Sequence, residues 1–231
     1  MKLVLLPGMD GTGDMFAPLL AALGPAVATV VVRYPLDQAL GYAELEVVVR
    51  AALPVDEPFV LLGESFSGPV AISIAASAPA GLRGVLLCST FARSPLPLLK
   101  PFGAFAGLLP VSWIPLPVKS ALLMGRFATP ELSAALRQGL AKVADAAMLA
   151  RLRAVLKVDV SGLLPAIRVP MLYLRASHDG LVPRRCLRLI AELAVDLEIA
   201  EIRGPHFLLQ RCPHEAAAVI GDFMERVKSL S

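Results

Sequence analysis

The sequence is short of charge and of reactive side chains. Charged residues make up only 18% and aromatic residues 6%, with one tryptophan, three histidines and three cysteines. With 56% hydrophobic residues, so little charge excludes an intrinsically disordered chain. Cys88, Cys186 and Cys212 are too few to pair completely and show no C-x-x-C spacing. They are expected to be buried, reduced thiols of a cytoplasmic protein, with no metal and no other cofactor. The 17 glycines and 20 prolines follow no period, which excludes collagen-like and low-complexity chains.

Long uninterrupted hydrophobic runs are also missing. Met1 to Leu6 imitates the start of a signal peptide, but Pro7-Gly8 ends it well short of the ~7–15 apolar residues such a segment needs. Residues 101–118 carry no charge, yet they contain Pro101, Pro110, Pro115 and Pro117 and are flanked by Lys100 and Lys119. A spanning helix needs about 20 apolar residues and the backbone hydrogen bonds that proline removes. A hydrophobic flap is expected there, with at most a weak contact to a membrane surface and no transmembrane span.

What is present is an alternation of strands and helices. Residues 2–6, 26–33, 59–62, 84–88, 171–176 and 197–202 are short apolar runs, that at 26–33 rich in β-branched residues, and most are bounded by Gly or Pro. Continuous apolar runs of this kind are buried on both faces, so they predict a mostly parallel six-stranded sheet with helices on both sides. Helical spacing falls between them, at 16–23, 42–53, 68–78, 184–193 and 214–228. The alternation stops between 91 and 164. That stretch reads as a lid inserted into a single 231-residue α/β domain, over the strand ends where α/β sheets bind ligands. Its second half predicts a helical hairpin, capped by Thr129 and by Asp145. From 91 to 157 there are nine basic residues against Glu131 and Asp145, a net +7 within a chain of net +3. Such a face is either simply solvated or attracts an anionic substrate or carrier, or a membrane surface. The basic residues are not interleaved with aromatics, which argues against nucleic acid.

Chemistry concentrates in four loops at strand ends. Gly63-Glu64-Ser65-Phe66-Ser67-Gly68 follows an apolar strand and opens a helix, the setting that lifts a serine hydroxyl above a sheet edge. Ser65 is the candidate nucleophile, although Ser67 occupies the fifth position where glycine is usual. A serine needs a base, and His206 in Gly204-Pro205-His206-Phe207 lies after the last strand on the same edge. His214 starts a helix and His178 reads as a loop residue. Asp179 follows the fifth strand and supplies the carboxylate, giving the order Ser65, Asp179, His206. In the loop Pro7-Gly8-Met9-Asp10-Gly11-Thr12-Gly13, the Met9 N–H is expected to pair with that of Phe66 as an oxyanion hole, with Asp10 forming an Asx turn. A phosphate cradle would need a following Lys-Ser/Thr or a third dinucleotide glycine, and neither is there.

With Leu6-Pro7-Gly8-Met9-Asp10-Gly11-Thr12-Gly13 and Gly63-Glu64-Ser65-Phe66, the chain resembles the α/β-hydrolase superfamily. Within it, the chain is similar to a serine-carboxylesterase branch that includes bacterial esterases and phytyl-ester-synthase-like acyltransferases. The resemblance implies an α/β-hydrolase fold, from which the chain is expected to depart in a minimal sheet, since its first strand begins at residue 2 without the family's usual preceding antiparallel strands. It also implies nucleophile Ser65, acid Asp179, base His206 and oxyanion donors Met9 and Phe66. Where the family has His-Gly, Pro7-Gly8 stands here. The expected activity is carboxylic ester hydrolysis through an acyl-enzyme, with medium-length acyl chains lying under the lid against Phe102, Phe105, Leu108, Leu109, Trp113, Ile114, Leu122, Leu123 and Met124. Two other readings stay open: an acyltransferase, esterase or thioesterase acting on acyl groups of CoA or of an acidic acyl carrier protein, and a non-catalytic binding module on the same fold.

Overall fold

The computed structural model describes residues 1–97 and 115–230. Six strands form one sheet: β1 (Lys2–Leu6), β2 (Thr29–Val31), β3 (Phe59–Glu64), β4 (Leu82–Cys88), β5 (Met171–His178) and β6 (Leu197–Pro205), in the order β2-β1-β3-β4-β5-β6. Every pairing within it is parallel, so the expectation of a mostly parallel sheet is met without an antiparallel member among the described residues. The helices are α1 (Ala17–Leu23), α2 (Tyr42–Ala52), α3 (Gly68–Ala76), α4 (Leu116–Met124), α5 (Pro130–Ala141), α6 (Asp145–Lys157), α7 (Arg184–Leu193), α8 (Leu208–Arg211) and α9 (Pro213–Ser229).

Period-two alternation along the strands divides the interior into two cores. Val4, Leu6, Leu61, Val85, Leu87 and Tyr173 face one side, where α2, α3 and α7 cover them. Leu3, Leu5, Val60, Leu62, Leu86 and Leu174 face the other, against α1, α8 and α9. The apolar runs at β1, β3, β4 and β5 are therefore strands largely buried on both faces, whereas the edge strands β2 and β6 are half-buried or exposed over much of their length, against the expectation. The three cysteines are free and buried.

Several boundaries differ from the sequence reading for local reasons. β2 is an edge strand paired only with Leu3–Leu5, so it shrinks from the expected 26–33 to three half-buried residues. β3 and β6 run longer than expected because Gly63 and Glu64 still pair with Leu87 and Cys88, and Pro205 pairs with His178. Thr129 caps α5, accepting from the Leu132 N–H at 3.3 Å. Asp145 does not cap α6. Ala144 holds that position, with its own N–H given to the Leu36 carbonyl at 2.9 Å, and Asp145 sits in the first turn, where its charge still favours the helix dipole. No helix among the described residues is long and apolar enough to cross a membrane.

The strand order fixes where a ligand can sit. The chain moves from β1 outward to β2, then returns to β3 on the other flank of β1. The β1 and β3 ends thus form the crevice at which parallel sheets bind ligands. The turns that leave those two strands are residues 7–13 and 65–68.

Candidate active site

Strand β3 delivers Ser65 into a sharp turn. Its φ is +48°, a left-handed value that costs a non-glycine residue about 1 kcal/mol or more and that the surroundings must enforce. They do so by close approach. A Cβ on Gly63 would lie 2.8 Å from the Ala71 Cβ, and one on Gly68 would overlap the Thr90 side chain. Thr90 Oγ1 in turn donates to the Ser65 carbonyl, and Tyr173 Oη donates to the Thr90 carbonyl at 2.7 Å. Phe66 is buried and stacks on Tyr42, with ring centroids 4.8 Å apart.

His206 comes from the turn after β6 and Asp179 from the turn after β5. Ser65 Oγ lies 2.8 Å from His206 Nε2, and His206 Nδ1 lies 2.9 and 3.0 Å from the two Asp179 oxygens. Three turns remote in sequence thus share one hydrogen-bonded line. The His206 and Asp179 side chains are only 2% and 8% exposed. Burial alone would raise the Asp179 pKa. The adjacent imidazole and the N–H groups of Leu181 and Val182, both 2.8 Å from Oδ1, outweigh it and hold the carboxyl below its usual range. Beside an ionised Asp179, the tautomer of His206 with its proton on Nδ1 can donate to the carboxylate and accept from Ser65 at Nε2. His178, at the exposed end of β5, meets Arg126 and Ser177 instead, and His214 is exposed at the start of α9.

Over this line opens a cavity of about 240 Å³, bounded by Met9, Ser65, Phe66 and His206 below and by Leu123 and Met148 above. Leu122 also lines it, whereas Met124 is buried outside the lining. Phe102, Phe105, Leu108, Leu109, Trp113 and Ile114 lie outside the described residues. Among the described residues, no group of His, Cys, Asp or Glu is arranged to hold a metal ion.

The backbone around the cavity is oriented from behind. Gly11 N–H donates to the Gly8 carbonyl at 3.1 Å, and a planar trans peptide then turns the Met9 N–H the opposite way. The Thr90 bond to the Ser65 carbonyl does the same for the Phe66 N–H. Asp10 forms the expected Asx turn, accepting from Thr12 N–H at 3.0 Å and from its hydroxyl.

The chain is matched by a family profile described as the alpha/beta hydrolase family over residues 3–219. The protein belongs to the alpha/beta hydrolase family. Comparison with curated proteins finds no match. Among solved structures, this alpha/beta hydrolase resembles a thermophilic esterase from Thermogutta terrifontis at TM-score 0.84 and 19% identity, covering 98% of this chain and 90% of that one. The enol-lactonase from Burkholderia xenovorans LB400 gives 0.81 and 18% identity, covering 97% and 91%. An esterase from Exiguobacterium antarcticum gives 0.78 and 13% identity, covering 97% and 92%. At these identities the likeness is one of fold.

Three features of this hydrolase escaped the sequence reading. Ser67, at the position where glycine was expected, accepts from Tyr34 Oη at 2.7 Å and donates to the Pro7 carbonyl, tying the two turns together. Glu64 is 5% exposed and accepts from Gln210 Nε2 at 2.8 Å; burial pushes its pKa up to about 7. Arg151, counted among the nine basic residues of the insertion, is 1% exposed. No local pattern marks any of them, because each acquires its partner only when distant segments meet.

Proposed function

We propose that the protein is a serine hydrolase of carboxylic esters in which Ser65 is the nucleophile, His206 the base and Asp179 the carboxylate that orients it. The 2.8 Å approach of Ser65 Oγ to His206 Nε2, at the floor of a largely apolar cavity, carries the reading. Ser65 Oγ attacks the ester carbonyl while its proton passes to Nε2, and the oxyanion forms against the Met9 and Phe66 N–H groups. The imidazolium then protonates the leaving alcohol, and an acyl-enzyme remains. Water, deprotonated by His206, releases the acid and restores the serine.

The esterase and lactonase neighbours agree with this reading in fold. The lining favours acyl chains of medium length, since each CH₂ removed from water contributes about 0.8 kcal/mol. In this reading the insertion acts as the lid of the acyl pocket. An acidic carrier protein is less well supported, because the insertion presents less free charge than its composition suggests. Arg151 is internal, Arg93 pairs with Asp159 at 2.7 Å and Lys142 pairs with Asp14 at 2.7 Å. The test is a p-nitrophenyl ester series from acetate to decanoate with the wild type and Ser65→Ala. The expected result is a rise in kcat/KM with chain length and a loss of at least ~10³-fold in the variant. Unchanged turnover in Ser65→Ala would refute the assignment, and a clear preference for acetate would refute the pocket.

A further inference from the structure

Arg151 belongs to α6, in the insertion, yet its guanidinium lies inside the protein against the turn that follows β1. Nη1 donates to the Met9 carbonyl at 2.8 Å and to the Asp10 carbonyl at 2.9 Å, and Nη2 donates to the Pro35 carbonyl at 2.8 Å. The guanidinium carbon stands 5.8 Å from the centre of the Tyr34 ring. Every acceptor it meets is a main-chain carbonyl. A buried cation with three carbonyl ligands is an expensive way to hold a loop unless the exact aim of that loop matters.

The aim can be followed peptide by peptide. The turn 8–11 has three carbonyls that could face the cavity. The Gly8 carbonyl is taken by Gly11 N–H, and those of Met9 and Asp10 are taken by one guanidinium nitrogen. The Asp10 carbonyl and the Gly11 N–H belong to one planar peptide, so Arg151, by holding that carbonyl, aims the N–H that holds the Gly8 carbonyl and through it the Gly8–Met9 peptide that carries the Met9 N–H. The guanidinium packs tightly enough that a Cβ on Gly11 would lie 2.7 Å from Nη1. The floor of this clamp joins the serine turn, because Tyr34 Oη donates to Ser67 Oγ and Ser67 donates to the Pro7 carbonyl.

We propose that Arg151 is a positioning residue for acyl transfer: it draws back the Met9 and Asp10 carbonyls so that the Met9 N–H stays aimed at the acyl oxygen over Ser65. The proposal rests on the reading of Ser65, His206 and Met9 given above. The insertion then supplies part of the oxyanion machinery as well as the cover of the pocket. The planar fork matters as much as the charge, because a lysine ammonium reaching the same place cannot serve three carbonyls from one plane.

The experiment compares wild type, Arg151→Met, Arg151→Lys and Ser65→Ala on p-nitrophenyl octanoate. It measures kcat, KM, the thermal midpoint and inhibition by octyl trifluoromethyl ketone. That ketone adds reversibly to a serine Oγ, its carbonyl oxygen becoming an oxyanion as the serine proton passes to histidine. For Arg151→Met the expected result is a loss in kcat of about 10- to 100-fold with KM within about threefold, and ketone affinity falling in step with kcat/KM. Arg151→Lys should recover only part of both. A folded Arg151→Met with wild-type kcat, or one that raises KM alone, overturns the proposal. If Arg151→Met does not fold, Arg151→Lys decides by the same measurements, and wild-type kcat and ketone affinity in that variant overturn it. Loss of activity in Ser65→Ala with a normal Arg151→Met removes this inference alone, whereas an active Ser65→Ala removes the reading beneath it.

Discussion

The two turns that face the cavity are held in different ways. Residues 63–68 are held by shape: Gly63 against Ala71, Gly68 against Thr90, and Phe66 stacked on Tyr42 within a core built from β3, β4 and α3. Residues 8–13 are held by polar contacts with distant segments: Arg151 from α6, Arg33 on the Thr12 carbonyl, and Tyr34 through Ser67 to Pro7. A serine that must sit at φ +48° is enforced by packing that admits no alternative. A backbone N–H that needs only an aim is set by hydrogen bonds, which are directional but individually weak. The first turn should therefore fail all at once when altered, and the second by degrees.

The strongest way to break that contrast is Gly68→Val. The added atoms meet Thr90 and push it off the Ser65 carbonyl, so the variant should lose about 3 kcal/mol of stability and nearly all turnover together. Chemical denaturation and active-site titration measure both, and a stable, active variant would contradict packing as the constraint. Next comes Glu64→Gln. The Glu64 pKa rises from 4.5 to about 7 on folding, so between those pH values the folded protein holds more protons than the unfolded chain and stability falls as pH rises. Replacing the acid should remove this slope. The variant gains on the wild type from pH 4.5 to 7, by an amount on the order of 3 kcal/mol, and the gain is constant above that. Denaturation curves across the range provide the check. The smallest effect is expected from Tyr34→Phe, which removes the hydroxyl that donates to Ser67 Oγ but leaves the Ser67 bond to the Pro7 carbonyl, at a cost of about 1 kcal/mol, and lowers kcat by less than Arg151→Met does. A larger loss from Tyr34→Phe would make the Tyr34 bond to Ser67, not Arg151, the main support of the 8–13 turn.

The same contrast explains what could be read from the sequence. Gly63, Ser65 and Gly68 announce their turn because steric fit demands small residues at fixed spacing, and that demand is local. The strands announce themselves because burial on both faces leaves continuous apolar runs such as Phe59–Leu62. Arg151 gives no such signal. It lies two residues from Arg153, which is exposed on the same helix, and only the docking of α6 against residues 9, 10 and 35 separates the buried arginine from the solvated one. Ser67 read as a small substitute for glycine because its partners, Tyr34 and Pro7, lie on other strands' turns. The error at Asp145 is of the same kind: Ala144 could take the cap because its N–H found Leu36 in a remote loop.

The separation in sequence between hydroxyl and imidazole has a consequence during synthesis. Ser65 emerges from the ribosome 141 residues ahead of His206, and the Met9 carbonyl 142 residues ahead of its arginine. A nascent chain can complete the first four strands with its serine still chemically inert. With Ser65 as nucleophile and His206 as base, the enzyme is armed only once the turn after β6 has been made.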